Sequence, residues 1–324
     1  MVWLFSRLEP PAASKRELTR GGWMELKMKT RIVRSWWRLA CAVEVAAGAS
    51  LAPASAAPSA SPEAPRTTRN VEGISDNSFL VEEAYNQEPG VVQHIVTAAW
   101  GIEAEAGPDT ESWGFAFTQE WPLFSQTHQL SYTVPYSVAS ANGRAGDGFG
   151  DVLLNYRFQA WYDSATLSAA APRVSLILPT GDDDQGFGED TLGYQFNLPL
   201  STAINDKWFV HLNAGTTFLP DAASASGRDL WHYNLGASGI YAATRDLHFL
   251  VEWVGAWIEA PRAGGGLGHE FVSVIVPGFR KAFTPGNDVQ IVLGAAAPIG
   301  LTGSAPDIGV FLYLSVEHSF LKPK

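Results

Sequence analysis

Basic residues are scarce over most of this 324-residue chain. Residues 1–56 hold nine of the 22 Lys and Arg, which leaves 57–324 with 13 basic and 29 acidic residues and a formal charge of −16. No basic patch remains to release counterions from phosphates, so nucleic acid is excluded as a partner. Cysteine is nearly absent too. Cys41 is the only one, and all three methionines (Met1, Met24, Met28) share its N-terminal segment, so thiol chemistry is excluded beyond that point. The seven histidines are scattered with no close-spaced pair, and no metal or other cofactor is implied. From Val91 onward nothing offers the ~18 continuous apolar residues of a membrane helix.

What is present begins with an export signal. After Met28 come Lys29, Arg31, Arg34 and Arg38, then an Ala-rich apolar run from Leu39 to Leu51 and Ala54-Ser55-Ala56, the layout of a cleaved secretory signal. Residues 1–56 therefore read as an N-terminal extension and signal peptide, with translation starting at Met24 or Met28. A lipid-anchored reading through Cys41 lacks the preceding apolar run. Residues 57–90 read as a disordered linker followed by a short helix, because Asp76-Asn77-Ser78 offer cap residues and Pro89-Gly90 a stop. Glu82, Glu83 and Tyr85 of that segment are candidates to fold into a pore as a plug; a solvated periplasmic lead-in is the alternative.

From Val91 to Phe320 twelve strand-like segments follow, near 91–103, 112–122, 128–138, 150–162, 171–179, 191–203, 207–219, 231–243, 247–259, 269–281, 288–299 and 308–320. At ~3.3 Å per residue, ten to twelve tilted residues cover the ~25 Å apolar band of an outer-membrane barrel. Connections after odd segments are long and rich in Gly, Asp and Ala. Those after even segments are mostly tight, such as Ile204-Asn205-Asp206. Long outside and short inside, with an even strand count, is the pattern of a transmembrane antiparallel β-barrel with both ends in the periplasm.

Parity sorts the faces. In the fourth segment Val152, Leu154, Tyr156 and Phe158 oppose Asn155, Arg157 and Gln159; in the sixth, Tyr194, Phe196 and Leu198 oppose Gln195 and Asn197. The first and tenth segments are ambiguous, with Val272, Val274 and Val276 against Ser273, Ile275 and Pro277. In the last, Val310, Leu312, Leu314, Val316 and Phe320 alternate with Tyr313, Ser315, Glu317 and Ser319. A closing strand that ends in an aromatic residue, here Phe320, is expected to engage the barrel-assembly machinery.

Asn77–His94, Gly148–Arg157, Pro172–Gly181 and the ending Tyr313…Glu317-His318…Phe320 resemble the outer-membrane transporter family of the phenol-degradation MetA pathway. The resemblance spans about residues 74–320 and implies a channel for small, often aromatic, compounds. It brings no established site residues.

The inward parity supplies the candidate lumen: Asn155, Arg157, Gln159, Arg173, Gln195, Asn197, His211, Asn213, Glu252 and Glu317, with His232, Asn234 and Gln290 beside them. Arg157 and Arg173 facing Glu252 and Glu317 across the barrel would form a constriction that sorts solutes by charge. Equally, these side chains pair with one another and fill a narrow interior. The acidic loop 181–190 reads as solvated, since its spacing fits no EF-hand. No local signature makes a nucleophile of any serine near His211 or His232, and no catalytic residue is assigned.

The sequence thus predicts an all-β, twelve-stranded outer-membrane barrel in a Gram-negative-type bacterium, surrounded by outer-membrane lipid. Its expected role is passive passage of small solutes, hydrophobic or aromatic ones among them. A closed structural barrel and a lipid hydrolase are the alternatives.

Overall fold

The computed structural model describes residues 74, 78–103, 110–141, 144–262, 265–286 and 289–320. The expected signal, Cys41 and the Ala-Pro-Ser linker lie outside the described residues, as do Asp76 and Asn77. Among the described residues sixteen strand segments make one sheet, and their interruptions merge them into twelve staves. These are β1 (Val91–Glu103), β2 (Thr110–Leu123), β3 (Ser125–Ala141) and β4 (Arg144–Phe149, Val152–Phe158 and Trp161–Asp163). Then come β5 (Ser168–Ala170 and Arg173–Leu178), β6 (Gly193–Asn205), β7 (Trp208–Ala222) and β8 (Arg228–Ala242). β9 (Leu247–Pro261), β10 (Leu267–Gly286), β11 (Val289–Ala296 and Ile299–Gly300) and β12 (Ile308–Ser319) complete the set.

Every neighbouring pair is antiparallel, and β12 returns to β1 with Val91 opposite Ser319 and Ile102 opposite Ile308. The sheet is closed, so no edge is left unpaired. β5 and β11 break at Pro172 and Pro298, which lack the N–H a ladder needs. Several staves overshoot the expected segments. β3 and β4 continue as a ribbon over 139–141 and 144–149, where the sequence predicts a long loop, with Val138 opposite Asp147.

The outward face is apolar: Val174, Val251, Leu312 and Leu212 are each close to half exposed, and Trp113, Trp208 and Trp231 join them. Exposed apolar area this extensive suits a lipid surround, not water. At the barrel end where Gly90 and Phe320 lie, Trp121 meets Phe320 with ring centroids 5.4 Å apart.

The inward face is divided, which explains the ambiguous strands. On β3 to β7 it is mainly polar, broken toward one end by buried Ile177 and Leu219 with Leu153 packed against them. On β8 to β12 and β1 it carries Ile240, Leu250, Val272, Val274, Val276, Val292, Phe311 and Ile95, all buried. These strands are apolar on both faces because one meets lipid and the other meets residue 74 and residues 78–81 inside the barrel. Ile74, Phe79 and Leu80 belong to the same buried cluster. The Phe79 ring lies 5.4 Å from both Phe311 and Tyr313, over Gly294, where a Cβ would come within 2.5 Å of it.

Candidate functional site

Residues 78–90 thread the barrel interior, and the predicted helix there is absent: the segment is a chain of bends. The reason lies in where its backbone N–H groups go. In a helix they would bond carbonyls four residues back; here the lumen wall takes them. The Glu252 carboxylate, fully buried, accepts from the N–H of Phe79 (3.1 Å), Leu80 (2.7 Å) and Val81 (3.3 Å). Asn213 clamps Glu82 from both sides, its Oδ1 accepting the backbone N–H and its Nδ2 donating to the carbonyl, each at 2.8 Å. Ser201 Oγ accepts the Ala84 N–H at 2.8 Å, and Gln129 Oε1 the Gln87 N–H at 2.7 Å.

Arg157 reaches the same segment from β4. Its guanidinium donates to Glu82 Oε1 (3.2 Å), the carbonyls of Glu83 (3.1 Å) and Tyr85 (2.7 Å), and Asn86 Oδ1 (2.8 Å). Arg173 Nε binds both Glu82 oxygens at 3.0 Å, while its other nitrogens go to Asn155, Ser175 and Gln195. The two arginines therefore bracket Glu82 of the segment. They do not face Glu252 and Glu317, and the expected charge-sorting constriction across the barrel does not form. Glu252 is committed to backbone donors, and Glu317 is half-buried, opposite Gln93 and Gln290. Packing inward makes pairing with the segment the lower-energy use of these charges.

The remaining predicted residues divide. Gln195 bridges Arg173 and Thr217, and Asn197 donates to Glu82 Oε2 at 2.8 Å, so both join the cluster. His211 does too: its Nδ1 pairs with Ser201 Oγ at 2.7 Å, and its Nε2 lies 3.6 Å from the Glu83 carboxylate, which Arg280 also approaches. Tyr85 donates its hydroxyl to the Leu167 carbonyl. Gln159 stands apart at a break in β4, and His232 accepts the Glu259 N–H elsewhere on the wall. Residues that sequence reasoning did not single out include Gln129, Ser201, Arg280 and Asp151. All but Asp151 are inward-parity strand residues, visible only once a partner inside the barrel is known.

Asp151 builds the opposite end. Its carboxylate accepts the N–H groups of Thr180, Gly181 and Glu189 within 3.1 Å, which folds loop 180–190 inward. Phe187 then lies on Gly148, where a Cβ would come within 2.6 Å of the ring. Asp182, Asp183 and Asp184 remain exposed, and among the described residues no group of three or more His, Cys, Asp or Glu could hold a metal.

Between this roof and the segment lies a cavity of about 260 Å³. Its floor is Ser78 to Glu82, its polar wall includes Thr133, Asn155, Asn197 and Asn234, and its apolar wall includes Val254, Val272, Val274 and Tyr313.

No family model matches the chain, and no curated protein does. Among solved structures, the COG4313 outer membrane channel from Pseudomonas putida F1 superposes with a TM-score of 0.57 at 15% identity, covering 73% of this chain and 98% of that one. The fold is that of an outer-membrane β-barrel. Looser matches include the KdgM porin (TM-score 0.40, 11% identity, 70% and 99% covered). The CymD monoaromatic hydrocarbon channel superposes at 0.35 with 9% identity, covering 73% of this chain and 90% of that one.

Charge sets how the barrel holds its segment. Burial by itself would raise the Glu82 carboxyl, but Arg173, then Arg157 and the Asn197 amide, hold it below its ordinary value. A depressed carboxyl contributes stability that is complete above the unfolded value and is lost as pH falls through the folded one. Hydrogen-exchange protection of the Glu82 amide, corrected for intrinsic rate, is expected to hold above the ordinary carboxyl range and to be lost only as pH falls below it. Loss of protection between pH 6 and 7 would instead assign the hold to a histidine.

Proposed function

We propose that this barrel is an outer-membrane channel for small solutes, hydrophobic or aromatic ones among them, and that residues 74–90 are its plug. One observation carries the reading: the lumen is occupied by a segment that takes no part in the strand ladder, with a solute-sized cavity left beside it. The segment is bound through its own backbone and through polar side chains from Ser78 to Gln87, not through strand pairing, so it can leave without breaking the barrel ladder. When it leaves, the divided lumen offers a polar wall and an apolar wall side by side. Solutes that need both are the class such a surface suits. The insertion of the barrel through the strand ending at Phe320, by the barrel-assembly machinery, and removal of residues 1–56 as a signal, complete the proposal.

The docked segment also favours a second reading, a closed structural barrel. Planar-bilayer recording on the 57–324 protein and on a form lacking 74–90 separates them. A channel is expected to show low or flickering conductance with the segment and steady, several-fold larger conductance without it. No conductance in either heat-modifiable barrel would establish the closed reading. Lipid hydrolysis fits poorly: the Ser201–His211 pair faces the lumen, and Ser201 Oγ already serves the Ala84 N–H.

A further inference from the structure

Arg157 of β4 stands directly opposite Arg173 of β5, and Arg173 stands opposite Asn197 of β6. Like charges set opposite each other on one face of a sheet are destabilising, so a wall built this way calls for an anion. The Glu82 carboxylate supplies it. Its Oε1 accepts from Arg157 Nη1 (3.2 Å) and Arg173 Nε (3.0 Å), and its Oε2 from Arg173 Nε (3.0 Å) and Asn197 Nδ2 (2.8 Å). Every donor belongs to the barrel wall, and only the acceptor belongs to the segment.

The backbone of Glu82 has a separate hold, since Asn213 takes its N–H and its carbonyl. Carboxylate and chain are thus seated independently. The carboxylate's seat opens on the cavity, which Glu82, Arg173, Asn155, Gln195 and Asn197 all line. The Arg173 and Glu82 side chains keep 14% and 19% of their surface exposed, so both are reached from that space. Val254, Val272 and Val274 give the same cavity an apolar wall. An apolar cavity of about 150 Å³ holds benzene, and the volume here is about 260 Å³, room for one substituted ring.

We propose that the Arg157–Arg173–Asn197 row is a carboxylate-binding site of the lumen, for an organic acid with a compact apolar body such as one aromatic ring, and that Glu82 occupies it as a tethered stand-in. When the Glu82 side chain is out of the row, the solute's carboxylate takes its donors and the ring lies in the cavity. A planar carboxylate matches the guanidinium fork. Glu120, 3.8 Å from Arg157, answers one of the two positive charges, which leaves the row suited to a monoanion. Cations are repelled, and a neutral alcohol leaves the Arg173 charge without its counterion.

This site deepens the channel reading and rests on it for its role, but its binding is measured without current. The full barrel in nanodiscs is titrated at neutral pH with 4-fluorobenzoate and with 4-fluorobenzyl alcohol by 19F NMR, empty nanodiscs supplying the partition background. Glu82→Ala deletes the stand-in and leaves the backbone seat at Asn213 in place. It is expected to bind the benzoate about 10-fold more tightly than the parent does, the worth of one charged hydrogen bond, with no comparable gain for the alcohol. Within the Glu82→Ala chain, Arg173→Gln is expected to abolish that gain and Asn197→Ala to reduce it. Heat-modifiability checks that each variant is folded. Equal benzoate binding by parent and Glu82→Ala, or a gain that the alcohol shares, overturns the site, as does a gain untouched by either further substitution in a folded barrel. The benzoate gain with no conductance in any form sinks the channel reading alone; conductance without the gain sinks the site alone.

Discussion

Arg157→Ala is expected to free the plug segment while leaving the barrel intact. The guanidinium is 2% exposed and holds Glu82, the Glu83 and Tyr85 carbonyls and Asn86 together, with Glu120 at 3.8 Å on its far side. Removing one partner of such a buried cluster costs about 3–5 kcal/mol, because the carboxylates stay behind without their cation. Here that energy belongs to docking, not to the fold, since the twelve-stave ladder uses none of these side chains. The 78–90 segment should become protease-sensitive in a barrel that still shifts on heating, and conductance should approach that of the form lacking 74–90. Arg157→Lys should rescue little, because one ammonium cannot reproduce a planar fork spread over four acceptors. A segment as protected as in the parent protein would show that Arg157 does not hold the plug. In the form lacking 74–90 the same substitution should be nearly silent, and that contrast separates docking from barrel stability.

How much of this was legible beforehand depended on which wall of the barrel was being read. On β3 to β7 one face meets lipid and the other meets polar groups, so Leu154 against Asn155 or Phe196 against Asn197 declares itself by period alone. On β10 the rule fails because Val272, Val274 and Val276 face Ile74, Phe79 and Leu80, and a strand apolar on both sides has no period to read. The helix expected from the Asp76-to-Gly90 pattern does not form over 78–90, for a related reason. Cap residues state what a chain does when its own carbonyls are the best acceptors available, and inside this barrel Glu252, Asn213, Ser201 and Gln129 are better placed. Arg157 and Arg173 meet Glu82 of the segment, not Glu252 and Glu317 across the barrel. Parity fixes the direction of a side chain and is silent about a partner arriving from 75 or 91 residues away.

Glu252 should reverse the sign of its effect according to whether the plug is present. With the segment docked, its carboxylate takes three backbone N–H groups, the shortest at 2.7 Å from Leu80. Glu252→Gln substitutes an NH2 for one of the two oxygens, so a donor then faces a donor; charged hydrogen bonds contribute about 1.5–3 kcal/mol each. Glu252→Leu removes every acceptor, strands all three N–H groups and should undock residues 79–81 more completely than Gln does. Exchange protection of those amides is the direct readout. In the form lacking 74–90 the backbone donors are gone, and Glu252 is left between Ser238 of β8 and Val276 of β10, with the Ser238 hydroxyl the one donor of that cross-strand pair. There Leu is expected to be neutral or to raise the melting temperature of the barrel, since an apolar side chain on that wall adjoins Val276 and costs no desolvation. If Glu252→Leu instead destabilises both forms alike, the carboxylate is part of the barrel's own framework, and the plug is held by Arg157 and Asn213 without it.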